Sequence, residues 1–156
     1  MTSPMPSHRP AATMQHAIYL SRAAQSFTND QLQHLAAAAS ARNAGMDVTG
    51  LLLFSGGNFL QVLEGPSPAI APLVERIARD ARHTDLRVLR MASLPKRTFS
   101  AWHMGVLNVS ELRPVDAAHF EMLTRILFAK DPEHSDRAVR SLLRRFRAML
   151  PAAAAA

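Results

Sequence analysis

The sequence contains no cysteine. Disulfide staples, thiolate metal sites and cysteine nucleophiles are therefore all excluded. Aromatic residues are scarce, with one Trp, one Tyr and seven Phe in 156 residues. That is a thin supply for a surface that reads nucleic acid by base stacking. No apolar run approaches the length of a membrane span. Residues 1–13 carry three prolines and lack the apolar centre of a secretory leader. They read as a flexible extension, and a cytoplasmic protein is the simplest expectation. The seven histidines are scattered, without the carboxylate spacing of a ligand set, so no metal site is predicted.

What is present suits one compact domain. The chain is 48% hydrophobic and 19% charged, and long enough to bury a real core. The formal net charge is +6. Arg137, Arg140, Arg144 and Arg147 lie along one side of a final helical pattern and read as a solvated face.

Periodicity gives an order of elements. Residues 15–23 alternate as a strand, with Ala17, Tyr19 and Ser21 on one face and Ile18 and Leu20 on the other. Thr28 and Gln31 have the spacing of a capping box. Leu32, Leu35, Ala36 and Ala39 then form a helical stripe, onto which Asn43 falls. Gly45 is expected to end that helix in the left-handed conformation. Two apolar runs, about 47–54 and 58–64, flank Ser55-Gly56-Gly57-Asn58 as a hairpin. Ser67 and Pro68 read as N-cap and first-turn proline of a second helix carrying Ile70, Leu73, Val74 and Ile77. Pro72 removes a backbone donor there, which favours a later start. A fourth strand falls within 86–99 and a fifth over 101–109. Helices are expected at about 115–128 and 135–149, ahead of a tail over 151–156.

The order β-α-β-β-α-β-β followed by two helices predicts an α+β, ferredoxin-like sandwich. The divisions are 14–110 for the domain and 111–150 for a two-helix cap on the second face of the sheet. Within this frame Gln61 is out of place. It lies among Phe59, Leu60, Val62 and Leu63 on a strand apolar on both faces. Burying its amide without partners costs about 1–3 kcal/mol. Tyr19 on the first strand and Asn43 on the first helix point into the same space. Each alone reads as an ordinary core polar residue. Together they are a hydrogen-bonding set, with no carboxylate pair for hydrolysis.

Five blocks in order, AIYLSRA, RNAGMDVTGLLLF, NFLQVLEGP, RIARDARH and RTFSAWHMG, resemble the BLUF domain, a flavin-based blue-light sensor. The resemblance covers about residues 14–110. It implies FAD held between the two helices, with Tyr19, Asn43 and Gln61 lining the isoalloxazine ring. It further implies Tyr19 as electron and proton donor, Gln61 as the amide linking Tyr19 to the ring, and Asn43 fixing the ring. Asp80, Arg82 and His83 are implied cofactor contacts. Trp102 and Met104 match the family's W-x-M strand, which passes the change at Gln61 outward. Arg42 departs from the varied, often polar side chains of that position. The implied protein is a photoreceptor and not an enzyme, without an appended catalytic domain, signalling through a homo-oligomer or an unknown protein partner. The competing reading is a ferredoxin-like interaction or RNA-binding module without flavin.

Overall fold

The computed structural model describes residues 13–99, 103–111, 114–115, 117–118, 120–122, 141 and 144. Its elements in chain order are β1 (Met14–Ala23), α1 (Asn29–Gly45), β2 (Thr49–Ser55), β3 (Asn58–Pro66), α2 (Ser67–Ala78), β4 (His83–Ser93) and β5 (Gly105–Asn108). The strands form one sheet in the order β4-β1-β3-β2-β5. The first four strands are antiparallel neighbours and β5 runs parallel to β2. This is the expected α+β, ferredoxin-like arrangement. Joining β4 on one edge to β5 on the other requires a connection that crosses the end of the sheet.

The two faces of the sheet follow from strand alternation. Ala17, Tyr19, Leu52, Phe54, Phe59 and Leu63 pack beneath the helices against Leu32, Ala36, Ile70, Leu73 and Val74. Ile18, Leu20, Leu51, Leu53, Leu60 and Val62 occupy the opposite face and are buried as well. Burial of each such side chain is worth about 1.5–3 kcal/mol. Phe120, from the C-terminal part, is fully buried. The expected helices over 115–128 and 135–149, and the tail, lie mostly outside the described residues. The described positions at 114–115, 117–118 and 120–122 are helical.

Local chemistry explains most element boundaries. The capping box opens α1, with the Gln31 amide nitrogen donating to Thr28 Oγ1 at 3.2 Å and the Thr28 amide donating to Gln31 Oε1 at 2.9 Å. The hairpin between β2 and β3 turns on Gly56 (φ 58°) and Gly57 (φ 77°), with Ser55 opposite Asn58. Consecutive positive φ values make a tight two-residue turn, which glycine adopts without strain.

Four boundaries differ from expectation. Gly45 stays within α1, and Asp47 (φ 55°) makes the left-handed step into β2. The Asn43 carbonyl accepts from both the Met46 and Val48 amides, at 3.0 and 2.9 Å, so the turn closes two residues beyond the glycine. The second helix begins at Ser67 despite Pro72, and Pro66 is its N-cap, without a side-chain cap bond. The Ser67 amide donates instead to the Thr13 carbonyl at 2.8 Å. Strand β4 starts at His83 and ends at Ser93, while β5 is only Gly105–Asn108. The chain between them is the crossing connection.

Candidate cofactor site

Tyr19 and Gln61 are direct cross-strand partners at the centre of the sheet. Their neighbours on the same face are Leu52 on β2 and, beyond it, Val106 on β5. Above them runs a slot between α1 and α2. Leu35, Ala39, Leu63, Leu73 and Ile77 give it apolar walls. Its polar lining is Tyr19, Arg42, Asn43, Gln61, Arg76, Asp80, Arg82 and His83, and Met104 closes one side. The slot encloses about 50 Å³.

The polar atoms differ sharply in how they are satisfied. The Tyr19 side chain is fully buried, and its hydroxyl has no hydrogen-bond partner among the described residues. Such an atom costs about 1–3 kcal/mol unless something meets it. Burial pushes the phenol far above its ordinary pKa; the charge of Asp80 adds to this and that of Arg42 opposes it. At neutral pH the group therefore keeps its proton. Gln61 Nε2 donates to Met104 Sδ at 3.4 Å. Asn43 Nδ2 donates to the His103 carbonyl at 2.7 Å, and His103 Nδ1 lies 3.0 Å from the Val48 carbonyl. Asn43 and Gln61 thus both hold the segment leading into β5.

The far end of the slot is built by the turn from α2 into β4. Arg82 Nε donates to Asp80 Oδ1 at 2.9 Å and to Oδ2 at 3.1 Å. Hydrogen bonding from this guanidinium, against the opposing effect of burial, holds the Asp80 carboxyl down at about 2. The same bond raises the Arg82 pKa. Asp80 is therefore an anion committed to Arg82 and not a general acid. His83 Nδ1 lies 2.8 Å from Ser21 Oγ, and its ring packs on Phe59 with centroids 5.0 Å apart. Burial lowers the His83 pKa, and Asp80 partly offsets this.

The structure brings together Tyr19, Asn43, Gln61, Asp80, Arg82, His83 and Met104, seven of the residues singled out from the sequence. His83 occupies the first position of β4. Trp102 lies outside the described residues. Met104 is the residue placed against Gln61. The role of the His103 main chain was not foreseen. A backbone carbonyl carries no sequence signal, although the W-x-M spacing located the segment. Arg42 lines the slot but its side chain is largely exposed.

The chemistry of this set is narrow. It offers a neutral buried phenol, two amides, a histidine, a thioether and the Asp80–Arg82 ion pair. The described residues contain no cluster of His, Asp or Glu placed to hold a metal. No described helix is long and apolar enough to cross a membrane. On the sheet face away from the slot, Ile18, Leu20, Leu51, Leu53, Leu60 and Val62 of the central strands are aliphatic and buried, so they offer no stacking platform.

The site is a partly polar slot between the two helices that cover one face of a ferredoxin-like sheet. The family model described as BLUF, sensors of blue-light using FAD, matches residues 14–105. The chain belongs to that family of blue-light sensors. It is 38% identical over 91 residues to photoactivated adenylate cyclase subunit beta of Euglena gracilis, covering 58% of this chain and 11% of that protein. The chain spans about a tenth of the length of the first curated relatives it matches. Among solved structures it resembles BlrB, a BLUF protein in its dark state. The TM-score is 0.72 at 29% identity, covering 89% of this chain and 98% of that one. It also resembles Klebsiella pneumoniae BlrP1 with FMN and cyclic diGMP. Here the TM-score is 0.61 at 32% identity, covering 71% of this chain and 30% of that one.

Proposed function

We propose that this chain is a blue-light photoreceptor that carries FAD in the slot between α1 and α2. The observation that carries the reading is the Tyr19 hydroxyl. It is buried, lacks a partner among the described residues, and lies on a slot lined by two amides. A bound flavin supplies blue-light absorption and a ring able to accept an electron and a proton. Tyr19, Asn43 and Gln61 would hold the ring, with Asp80, Arg82 and His83 at the slot's far end.

The residues then divide the work. Tyr19 is the electron and proton donor. Its proton cannot leave ahead of the electron, because burial disfavours the phenolate. Gln61 is the switch, since an amide exchanges donor for acceptor by turning over or by tautomerising. Met104 accepts from Gln61 now and would lose that bond when the amide changes ends. The change passes, with Trp102, into β5 and on to the 111–150 segment. That segment is read as a cap on the second sheet face and as the signalling surface toward a second copy or a protein partner. Residues 14–110 form the sensing domain between the 1–13 extension and this cap.

A light-minus-dark absorption spectrum of the purified chain tests the reading. A red shift on illumination is expected, lost in Tyr19→Phe and Gln61→Leu although both keep the cofactor. Chromatography of the released chromophore separates FAD from FMN. A colourless protein that takes up neither flavin, or a full photocycle in either variant, refutes the proposal.

A further inference from the structure

Glu64 is a buried carboxylate for which the sensing chemistry has no use. It follows Gln61 on β3 at an odd spacing, so it points to the opposite face of the sheet. It is fully buried there. Its two oxygens accept the backbone N–H groups of successive residues, Thr98 at 2.7 Å and Phe99 at 2.6 Å. Charge-assisted bonds of this kind are what make a buried carboxylate tolerable. Phe99 is itself buried.

Arg97 supplies a second fastening on the same connection. Its Nη1 donates to Thr49 Oγ1 at 2.8 Å and to the Glu64 carbonyl at 3.0 Å. Its Nη2 donates to the Asp47 carbonyl at 2.7 Å and pairs with the Asp47 carboxylate at 3.1 Å. Thr49 and Glu64 are direct cross-strand partners. Residues 97–99 are therefore clasped to one end of the β2–β3 pair. The same connection then reaches the slot, where Asn43 holds the His103 carbonyl and Gln61 meets Met104. The chain from Phe99 to Met104 is short, so its reach is limited. Where the clasp sits constrains where Met104 sits.

We infer that Glu64 and Arg97 are positioning residues for the light response, clasping the β4–β5 connection so that Met104 meets Gln61. This rests on the light-sensor reading above. Neither residue lines the slot; both act through the backbone of the connection. Glu64→Gln exchanges one acceptor oxygen for an amide nitrogen that opposes a backbone N–H. Arg97→Lys replaces a fork that serves several acceptors by a single point charge.

The test uses the full chain loaded with its flavin, and reads the dark-recovery rate and the Met104 methyl signal by NMR. Glu64→Gln is expected to keep the cofactor, move the Met104 signal, and change dark recovery about tenfold, equivalent to about 1.4 kcal/mol. Arg97→Lys is expected to act in the same direction. Leu53→Ala, a core truncation on the sheet face away from the slot and near the hairpin end of β2, should lower stability and leave both readouts in place. If Glu64→Gln does not fold, Arg97→Lys and Thr49→Val carry the same test. Wild-type recovery with an unmoved Met104 signal in the folded variants overturns the inference, as do equal changes in Leu53→Ala. Failure of the light-sensor reading looks different: the unaltered chain shows no red shift, while the Met104 signal of the flavin-free protein still responds to the clasp variants.

Discussion

Replacing Tyr19 by Phe removes one oxygen from the centre of the protein and has opposite consequences with and without cofactor. The hydroxyl is fully buried and lacks a partner among the described residues. Its desolvation is a cost of about 1–3 kcal/mol that folding must carry. Phenylalanine fills nearly the same volume, so packing is conserved. Flavin-free Tyr19→Phe should therefore be more stable by about 1–3 kcal/mol. For a chain of this size that raises the melting temperature by about 2–4 °C per kcal/mol. With flavin bound, the hydroxyl gains a partner, and the substitution then forfeits a net hydrogen bond of about 0.5–1.5 kcal/mol. The sign of the effect reverses. Urea unfolding of both proteins, each with and without flavin, closes a cycle whose difference is the coupling of the phenol to the cofactor. The urea slope should not change, because the surface exposed on unfolding is the same. If flavin-free Tyr19→Phe loses more than about 1 kcal/mol, the hydroxyl is already satisfied without flavin, and the reasoning fails.

Asn43→Ala removes the donor to the His103 carbonyl and leaves that acceptor without its bond. A loss of about 1–3 kcal/mol is expected by urea unfolding, with weaker flavin retention on gel filtration. Stability should also fall on acidification in two windows. Burial lowers the His83 pKa, so the unfolded chain binds that proton more readily. The His83 contribution is thus complete above about pH 6.5 and lost as pH falls through the lowered folded value. Asp80, held at about 2, contributes above its ordinary carboxylate range and loses that contribution as pH falls toward about 2. Unfolding midpoints measured across pH should lose the upper window in His83→Gln and the lower one in Asp80→Asn. An unchanged profile in either variant contradicts the corresponding assignment.

Much of the sandwich is legible in the chain because its signals are local. Strand alternation through Phe59, Gln61 and Leu63 assigned the helix-covered face, and that is where these side chains pack. The Thr28–Gln31 capping box needs only neighbours within a turn, and it forms as expected. Errors arose where a distant group decides the outcome. The turn after α1 closes at Asp47 because two amides converge on the Asn43 carbonyl, which overrides the preference of Gly45. The helix start at Ser67 accompanies a bond to the Thr13 carbonyl, more than fifty positions earlier in the chain. The clasp of Glu64 and Arg97 reads in sequence only as a carboxylate in an apolar strand and a cation in a basic turn.

The sequence by itself determined that a polar set of Tyr19, Asn43 and Gln61 lies on surfaces otherwise built to be buried. Alternation in strands and a 3.6-residue period in helices place side chains on faces without reference to the rest of the fold. Pairing required the tertiary structure. It decided that Tyr19 stands directly opposite Gln61, that its hydroxyl lacks a partner among the described residues, and that Met104 is placed against the amide. Those relations depend on strand order and on a connection that crosses the sheet. Both are set by contacts between residues far apart in the chain, which periodicity does not encode.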